Sequence, residues 1–304
     1  MTDFSVPEED APEWLRCKER GSAWSMRGAV RLALMLGRPF ARLFLPLGCL
    51  YFLFSAPEAQ RASRDYLGRV LGRRAGLRDV FRHYHAFGAC ILDRVFFLKG
   101  RTDLFDVRIT GQELLADALA RNSGCFMLGA HLGSFEALRA MGRMHPGLRV
   151  NMLMFEENAR KIAAVLGDIA PDVAQDIIRL GRPDSFIKTL EALDQGNFVG
   201  LLADRSLTSD HQIRLPFLDA PAPFSTGAFR MMALLKKPVF LMVGLYRGGN
   251  RYDIHIEQFS MPDDLPQRAG AAEVEALVAR YAGRLDHYCR AAPYNWFNFY
   301  KFWE

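Results

Sequence analysis

The chain has few cysteines, and none is near another. Cys17, Cys49, Cys90, Cys125 and Cys289 are scattered, odd in number and never paired as Cys-x-x-Cys. Neither a disulfide framework nor a zinc knuckle is indicated, no metal site is expected, and a reducing compartment is the simplest reading. There is no P-loop and no Gly-x-Gly-x-x-Gly segment, so no nucleotide cofactor is indicated. No Asp-x-Asp pair stands after a strand; Asp263-Asp264 lies in a Pro-flanked loop, which argues against a metal-dependent glycosyltransferase. No internal repeat or low-complexity block is present. The N-terminus is acidic and lacks the basic stretch and apolar core of a secretory signal. No apolar run reaches the roughly 20 residues that a spanning helix needs.

What is present is bulk and a mild basic excess. Half of the 304 residues are apolar, ample for one large core with additions. The formal net charge is +5 and most of the cations are arginines, which suits an anionic membrane face or an acidic partner protein rather than nucleic acid. Residues 1–25 read as a loose arm, 26–100 as a helical, membrane-associating region and 101–304 as an α/β core. Between residues 26 and 55, apolar runs are interrupted by Arg27, Arg31, Arg38 and Arg42. The uncharged run from Leu43 to Pro57 is short and contains Pro46, so it predicts an amphipathic helix in the headgroup region with snorkelling arginine stems. A buried helical hairpin is the alternative.

Ser55-Ala-Pro-Glu58 has the form of a capping box, predicting a helix start there. Helical spacing runs to about residue 73 and again from 76 to 97. Within it, His83 and His85 point apart on a helix and read as solvent-facing or core-edge residues rather than a metal pair. From residue 105 short β-type runs alternate with helical ones. Strands are expected at Val107–Thr110, Cys125–Leu128, Val150–Met154, Asp176–Arg179 and Phe198–Ala203, with helices at Glu113–Ala120, Phe135–Met144, Ala159–Leu166 and Pro183–Leu193. Further strands at 213–218 and 239–259, some antiparallel, a helix at 226–236 and a last one at 272–290 complete the pattern. The fold class is α/β with a mainly parallel central sheet flanked by helices.

Chemistry concentrates in Gly124-Cys-Phe-Met-Leu-Gly-Ala-His131-Leu-Gly-Ser-Phe-Glu136. An apolar strand ends in glycine, a histidine follows, and a helix begins. Ligands of α/β sheets bind beyond the carboxyl ends of strands, where His131 falls. Gly129 and Gly133 would let a substrate approach the backbone, and the first helical amides would face developing negative charge. Five residues on a helix turn by about 140°, so His131 meets Glu136 only if the histidine sits in the turn. A carboxylate there would orient the imidazole as general base on an acceptor hydroxyl. Ser134 is not in a nucleophile elbow, so direct attack by the acceptor is preferred over a covalent acyl-enzyme. The blander reading is a helix start that His131 and Glu136 merely cap. Asp204 and Arg205, directly after the strand Gly-Leu-Leu-Ala, should emerge at the same sheet edge as His131.

These blocks resemble a known family. The His-x4-Glu segment looks like the His-x4-Asp/Glu motif of the lysophospholipid acyltransferase superfamily, specifically its bacterial lipid A lauroyl/myristoyl branch. The likeness spans roughly 25–303. It takes in the Arg-rich N-terminal helical segment, Asp204-Arg205, the stretch from Leu215 to Thr226, the following helix and strand Pro238–Leu245, and the aromatic ending Pro293–Trp303. It implies acyl transfer from an acyl carrier protein or coenzyme A thioester to a hydroxyl of a lipid or glycolipid, with no other cofactor and no nucleic acid, at the cytoplasmic face of the bacterial inner membrane. By position His131 is the base and Glu136 its partner, while Asp204, Arg205, Gly133 and Ser134 shape the substrate site. Ala130 stands where many members have Asn, and a Glu-Gly-Thr-Arg block is missing, which moves the expected acceptor from glycerol phosphates towards a glycolipid or unusual hydroxylated lipid. The aromatic ending also resembles acyltransferases associated with aryl polyene lipid synthesis. Two competitors remain: a thioesterase or lipase using the same dyad on water, and a non-catalytic lipid-binding protein on this fold. The seven aromatics from Tyr294 onward either close the core or seek the bilayer headgroup region.

Overall fold

A computed structural model describes residues 23–120, 123–136, 149–155, 177–180, 184–205, 212–264 and 270–304. Four helices come first: α1 (Ala23–Leu36), α2 (Arg38–Ser55), α3 (Pro57–Leu71) and α4 (Leu77–Leu98). Their punctuation is glycine and proline. Gly37, at φ +81°, separates α1 from α2, Pro57 opens α3 at its first position, and Gly72, in the left-handed region, closes it. The expected capping box does not form. Helix α2 runs on through Ser55, Ala56 takes the cap position without a side-chain cap, and Pro57 sets the new axis.

Strands β1 (Asp106–Thr110), β2 (Cys125–Gly129), β3 (Val150–Phe155), β4 (Ile177–Leu180), β5 (Phe198–Leu202), β8 (Val239–Tyr246) and β9 (Arg251–Ser260) form one sheet in the order β1-β9-β8-β2-β5-β3-β4. Every neighbouring pair is parallel except β8 with β9. β6 (Gln212–Phe217) and β7 (Ala220–Ser225) make a separate antiparallel ribbon. Only its first strand is visible to pattern reading. Pro221 and Pro223 argue against a strand in β7, and a two-stranded ribbon tolerates them because each strand is an edge. Helices α5 (Gln112–Ala120), α6 (Ser185–Asp194), α7 (Gly227–Leu235) and α8 (Ala271–Ala291) complete the described elements. The helix expected over 135–144 is described only at Phe135 and Glu136; that over 159–166, and the loose arm to residue 22, fall outside the described residues.

The centre of the sheet is covered on both faces, which is why β2, β5 and β8 are continuous apolar runs, whereas β1 and β9 alternate. Phe126 and Leu128 of β2, with Val239, Leu241 and Val243 of β8, face a cluster built by α3, α7, α8 and the C-terminal aromatics. Cys125, Met127, Phe240 and Met242 face the opposite cluster, built with α4 and α5.

Helix α2 is inside out. Arg38 is buried and donates to both carboxylate oxygens of the fully buried Asp93 on α4, at 2.8 and 2.9 Å, and Arg42 donates to the Tyr246 hydroxyl at 2.7 Å. Leu43, Phe44, Leu47, Tyr51 and Phe54 instead face outward, continuing an apolar surface begun by Leu32, Met35 and Leu36 on α1. Arg38 and Arg42 therefore anchor the helix to the protein instead of snorkelling. Among the described residues no single helix is long and apolar enough to cross a membrane; α2 and α3 together meet that length and composition only with a 99° bend between them.

Candidate active site

Register brings the site together. β2 and β5 are parallel neighbours with Gly129 opposite Leu202, so two further residues on each strand bring His131 beside Asp204. Ala203 N–H donates to the Gly129 carbonyl at 3.1 Å and keeps the two exits together. His131 Nδ1 then lies 2.8 Å from Asp204 Oδ1, while Asp204 Oδ2 accepts from the His131 backbone N–H at 3.0 Å and from Trp296 Nε1–H at 2.9 Å. Glu136 does not take that position: its Oε1 is 2.8 Å from Arg94 NH2, an ion pair to α4. The carboxylate on the imidazole is thus contributed by the neighbouring strand.

The electrostatics follow from burial. Burial pushes the Asp204 carboxyl up, but the His131 ring, the nearby Arg205 charge and the Trp296 N–H outweigh it and hold the group at about 2. Burial lowers the His131 pKa from its ordinary value, Arg205 lowers it further, and Asp204 opposes both. The ring keeps 29 % of its side-chain surface open, so it is largely surrounded by protein yet reachable. A neutral imidazole whose Nδ1–H donates to an ionised Asp204 presents an unprotonated Nε2. Arg205 is steered by the Phe297 carbonyl, 3.2 Å from its NH2, and by the Tyr300 ring.

The amides of Gly133 and Ser134 are already bonded within the protein and do not serve as an anion cradle. Gly133 N–H donates to the Asn295 carbonyl and Ser134 N–H to the Gly244 carbonyl, both at 2.7 Å. Ser134 itself is buried. Gly133 has φ +71°, and a Cβ there would stand 2.0 Å from the Gly244 carbonyl oxygen. Its missing side chain serves close packing on β8 rather than substrate approach, as does that of Gly129, whose Cβ would meet Leu202 and Phe135. Gly133→Ala should cost about 2–4 kcal/mol, combining left-handed strain with overpacking against backbone. A urea melt unchanged from the parent would contradict this.

Sequence reasoning missed the C-terminal segment as a builder of the site. Leu132 bridges Trp296 in antiparallel fashion, and Phe297 N–H donates to the His131 carbonyl at 2.7 Å. Trp296 is fully buried among Tyr66, Phe217 and Phe302, so this part of the aromatic ending closes the core and also positions Asp204. Behind it, His83 Nε2 lies 2.8 Å from the Trp296 carbonyl, and its Nδ1 2.8 Å from Ser63 Oγ. Burial lowers the His83 pKa to about 4, so the ring is neutral, donating from Nε2 and accepting from Ser63. The expected core-edge histidine is fully buried. The one signal in the sequence was Trp296 amid aromatics, which does not say what its N–H meets.

Residues 24–304, from α1 through the aromatic ending, match the family model described as bacterial lipid A biosynthesis acyltransferase. No curated protein matches the chain.

Proposed function

The chain belongs to the bacterial lipid A biosynthesis acyltransferase family, and from that membership we propose that His131, oriented by Asp204, is the general base that transfers a fatty acyl group from a thioester to a lipid or glycolipid hydroxyl. The observation that carries this reading is the 2.8 Å contact between His131 Nδ1 and the ionised Asp204, which leaves Nε2 as the basic nitrogen of a ring that is still 29 % open. Nε2 takes the acceptor's proton as the hydroxyl oxygen attacks the thioester carbonyl. The tetrahedral intermediate then collapses, the C–S bond breaks, and the imidazolium returns its proton to the leaving thiolate. Asp204 stabilises that imidazolium without becoming protonated. Arg205 is the charge best placed to meet the developing oxyanion, since the amides of residues 131, 133 and 134 are already bonded. Direct transfer without an acyl-enzyme agrees with the thiols: burial pushes those of Cys49, Cys90, Cys125 and Cys289 up, which makes each a poor nucleophile.

The donor is an acyl carrier protein or coenzyme A thioester, and the acceptor is bilayer-resident. The outward apolar faces of α1 and α2, with Met35 82 % and Phe54 76 % exposed, fit a protein lying on a membrane with these helices in the headgroup boundary. The decisive test is thiol release from an acyl thioester with and without acceptor lipid. His131→Ala should lower the acceptor-dependent rate at least about a hundredfold with the fold intact. An undiminished rate in that variant would remove His131 from the mechanism, and release independent of acceptor would make the reaction hydrolysis.

A further inference from the structure

Away from His131, a cleft of about 560 Å³ opens between α3 and the start of α4, lined by Arg64, Asp65, Gly68, Arg69, Arg74 and Gly76. Its setting is strongly basic. Between residues 61 and 82 there are seven arginines against Asp65 and Asp79 and no Lys or Glu, an excess of five that equals the whole chain's formal charge of +5. Both aspartates are committed. Asp65 pairs with Arg69 at 3.1 Å, and Asp79 with Arg73 at 2.8 Å. Arg69 is further held over the Trp303 ring, 4.4 Å from its centroid. Arg64 lines the same space, and what it offers a ligand is the part of its side chain on the cleft wall, since its Nε is buried.

We infer that this cleft binds a phosphate group, presented by the headgroup of an anionic membrane lipid. Arginine forks match phosphate oxygens, and Arg64, Arg69 and Arg74 surround one concave space. The lipid source is favoured by what adjoins the cleft. Leu77, the residue after Gly76, is 46 % exposed, and α3 follows in sequence on α2, whose outward face is apolar. A concave cluster of arginines on a protein that also carries outward apolar helix faces suits an anionic headgroup. The inference rests on the membrane-surface reading of α1 and α2, and it adds an anion site lined by none of the residues placed in the acyl-transfer chemistry.

The experiment is vesicle co-sedimentation of the full chain at about 0.15 M salt, where diffuse attraction is screened. Vesicles of phosphatidylcholine alone are compared with vesicles containing one part in four phosphatidylglycerol. The parent should prefer the anionic vesicles, and Arg64→Gln with Arg74→Gln should weaken binding to them roughly thirtyfold or more, because each loses a charge-assisted hydrogen bond to the phosphate. Arg78→Gln with Arg82→Gln removes the same charge outside the cleft and should cost less than about threefold; equal losses in the two pairs would mean diffuse charge and overturn the cleft. Thermal shifts with inorganic phosphate against chloride form a second arm: saturable stabilisation by phosphate without any preference for anionic vesicles would assign a soluble ligand and overturn the lipid source. If the cleft pair lost affinity for an acidic carrier protein while keeping its lipid preference, the partner would be a protein and the proposal wrong. Failure of the parent to bind either vesicle would sink the membrane-surface reading as well, an outcome distinct from a lipid preference that survives in the cleft variant. Acyl transfer in detergent should be unchanged by either pair.

Discussion

Asp204→Asn should reduce kcat by roughly 1,000- to 10,000-fold, the scale of losing the carboxylate that sets a catalytic imidazole's tautomer. The orientation of the new amide is forced. Oδ2 of Asp204 receives two donors, the His131 backbone N–H and Trp296 Nε1–H, so the carboxamide oxygen must stay there. The NH2 group then faces His131 Nδ1, which has to accept, and the ring proton moves to Nε2 where it blocks the base. The pH profile carries a second signature. In the parent, activity is lost as pH falls through the His131 pKa, which burial and Arg205 place below the ordinary histidine value while Asp204 raises it. Removing Asp204 takes away the raising influence, so the acid limb of the residual activity moves to lower pH. Glu136→Gln breaks the ion pair with Arg94 and should leave that limb in place. If instead Asp204→Asn were nearly silent and Glu136→Gln moved the limb, Glu136 would be the partner during turnover.

The second large effect is on stability. Asp93→Ala should cost about 3–5 kcal/mol, read as a lower denaturation midpoint in urea, because it strands buried charge. Asp93 accepts two hydrogen bonds from Arg38 and one from the Tyr252 hydroxyl at 2.8 Å, with Arg42 at 3.6 Å. Once the carboxylate is gone, Arg38 keeps the Gly249 carbonyl at 2.6 Å and the Phe105 ring but no anion for its charge, in a buried site. The same change should loosen α2 from α4, making α2 the first segment cut by protease. A variant with the parent's midpoint and protease pattern would show that the cluster contributes little.

Arg38 and Arg42 also mark a limit of pattern reading. Apolar runs broken by single arginines fit an interfacial helix whose cations face water, and the same letters fit a helix turned the other way. The choice depends on where a counter-charge lies, and Asp93 is 55 residues from Arg38. His83 and Ser63 present a similar case. Spacing on one helix set His83 apart from His85, but burial by a segment more than 200 residues away made it a neutral link to Trp296.

By itself the sequence determined the α/β class, the strands from β1 to β6 to within a residue or two, His131 in a strand-to-helix turn, and Asp204 with Arg205 at the same sheet edge. These are local matters of apolar period, glycine placement and strand ends, which a linear pattern carries. The tertiary structure alone decided that Asp204 and not Glu136 meets the imidazole, that Trp296 holds that carboxylate, that Gly133 is spared a side chain for β8, and that α2 turns its arginines inward. Each depends on which strands and segments become neighbours, so the contacts are made by residues far apart in the chain, where periodicity carries no information.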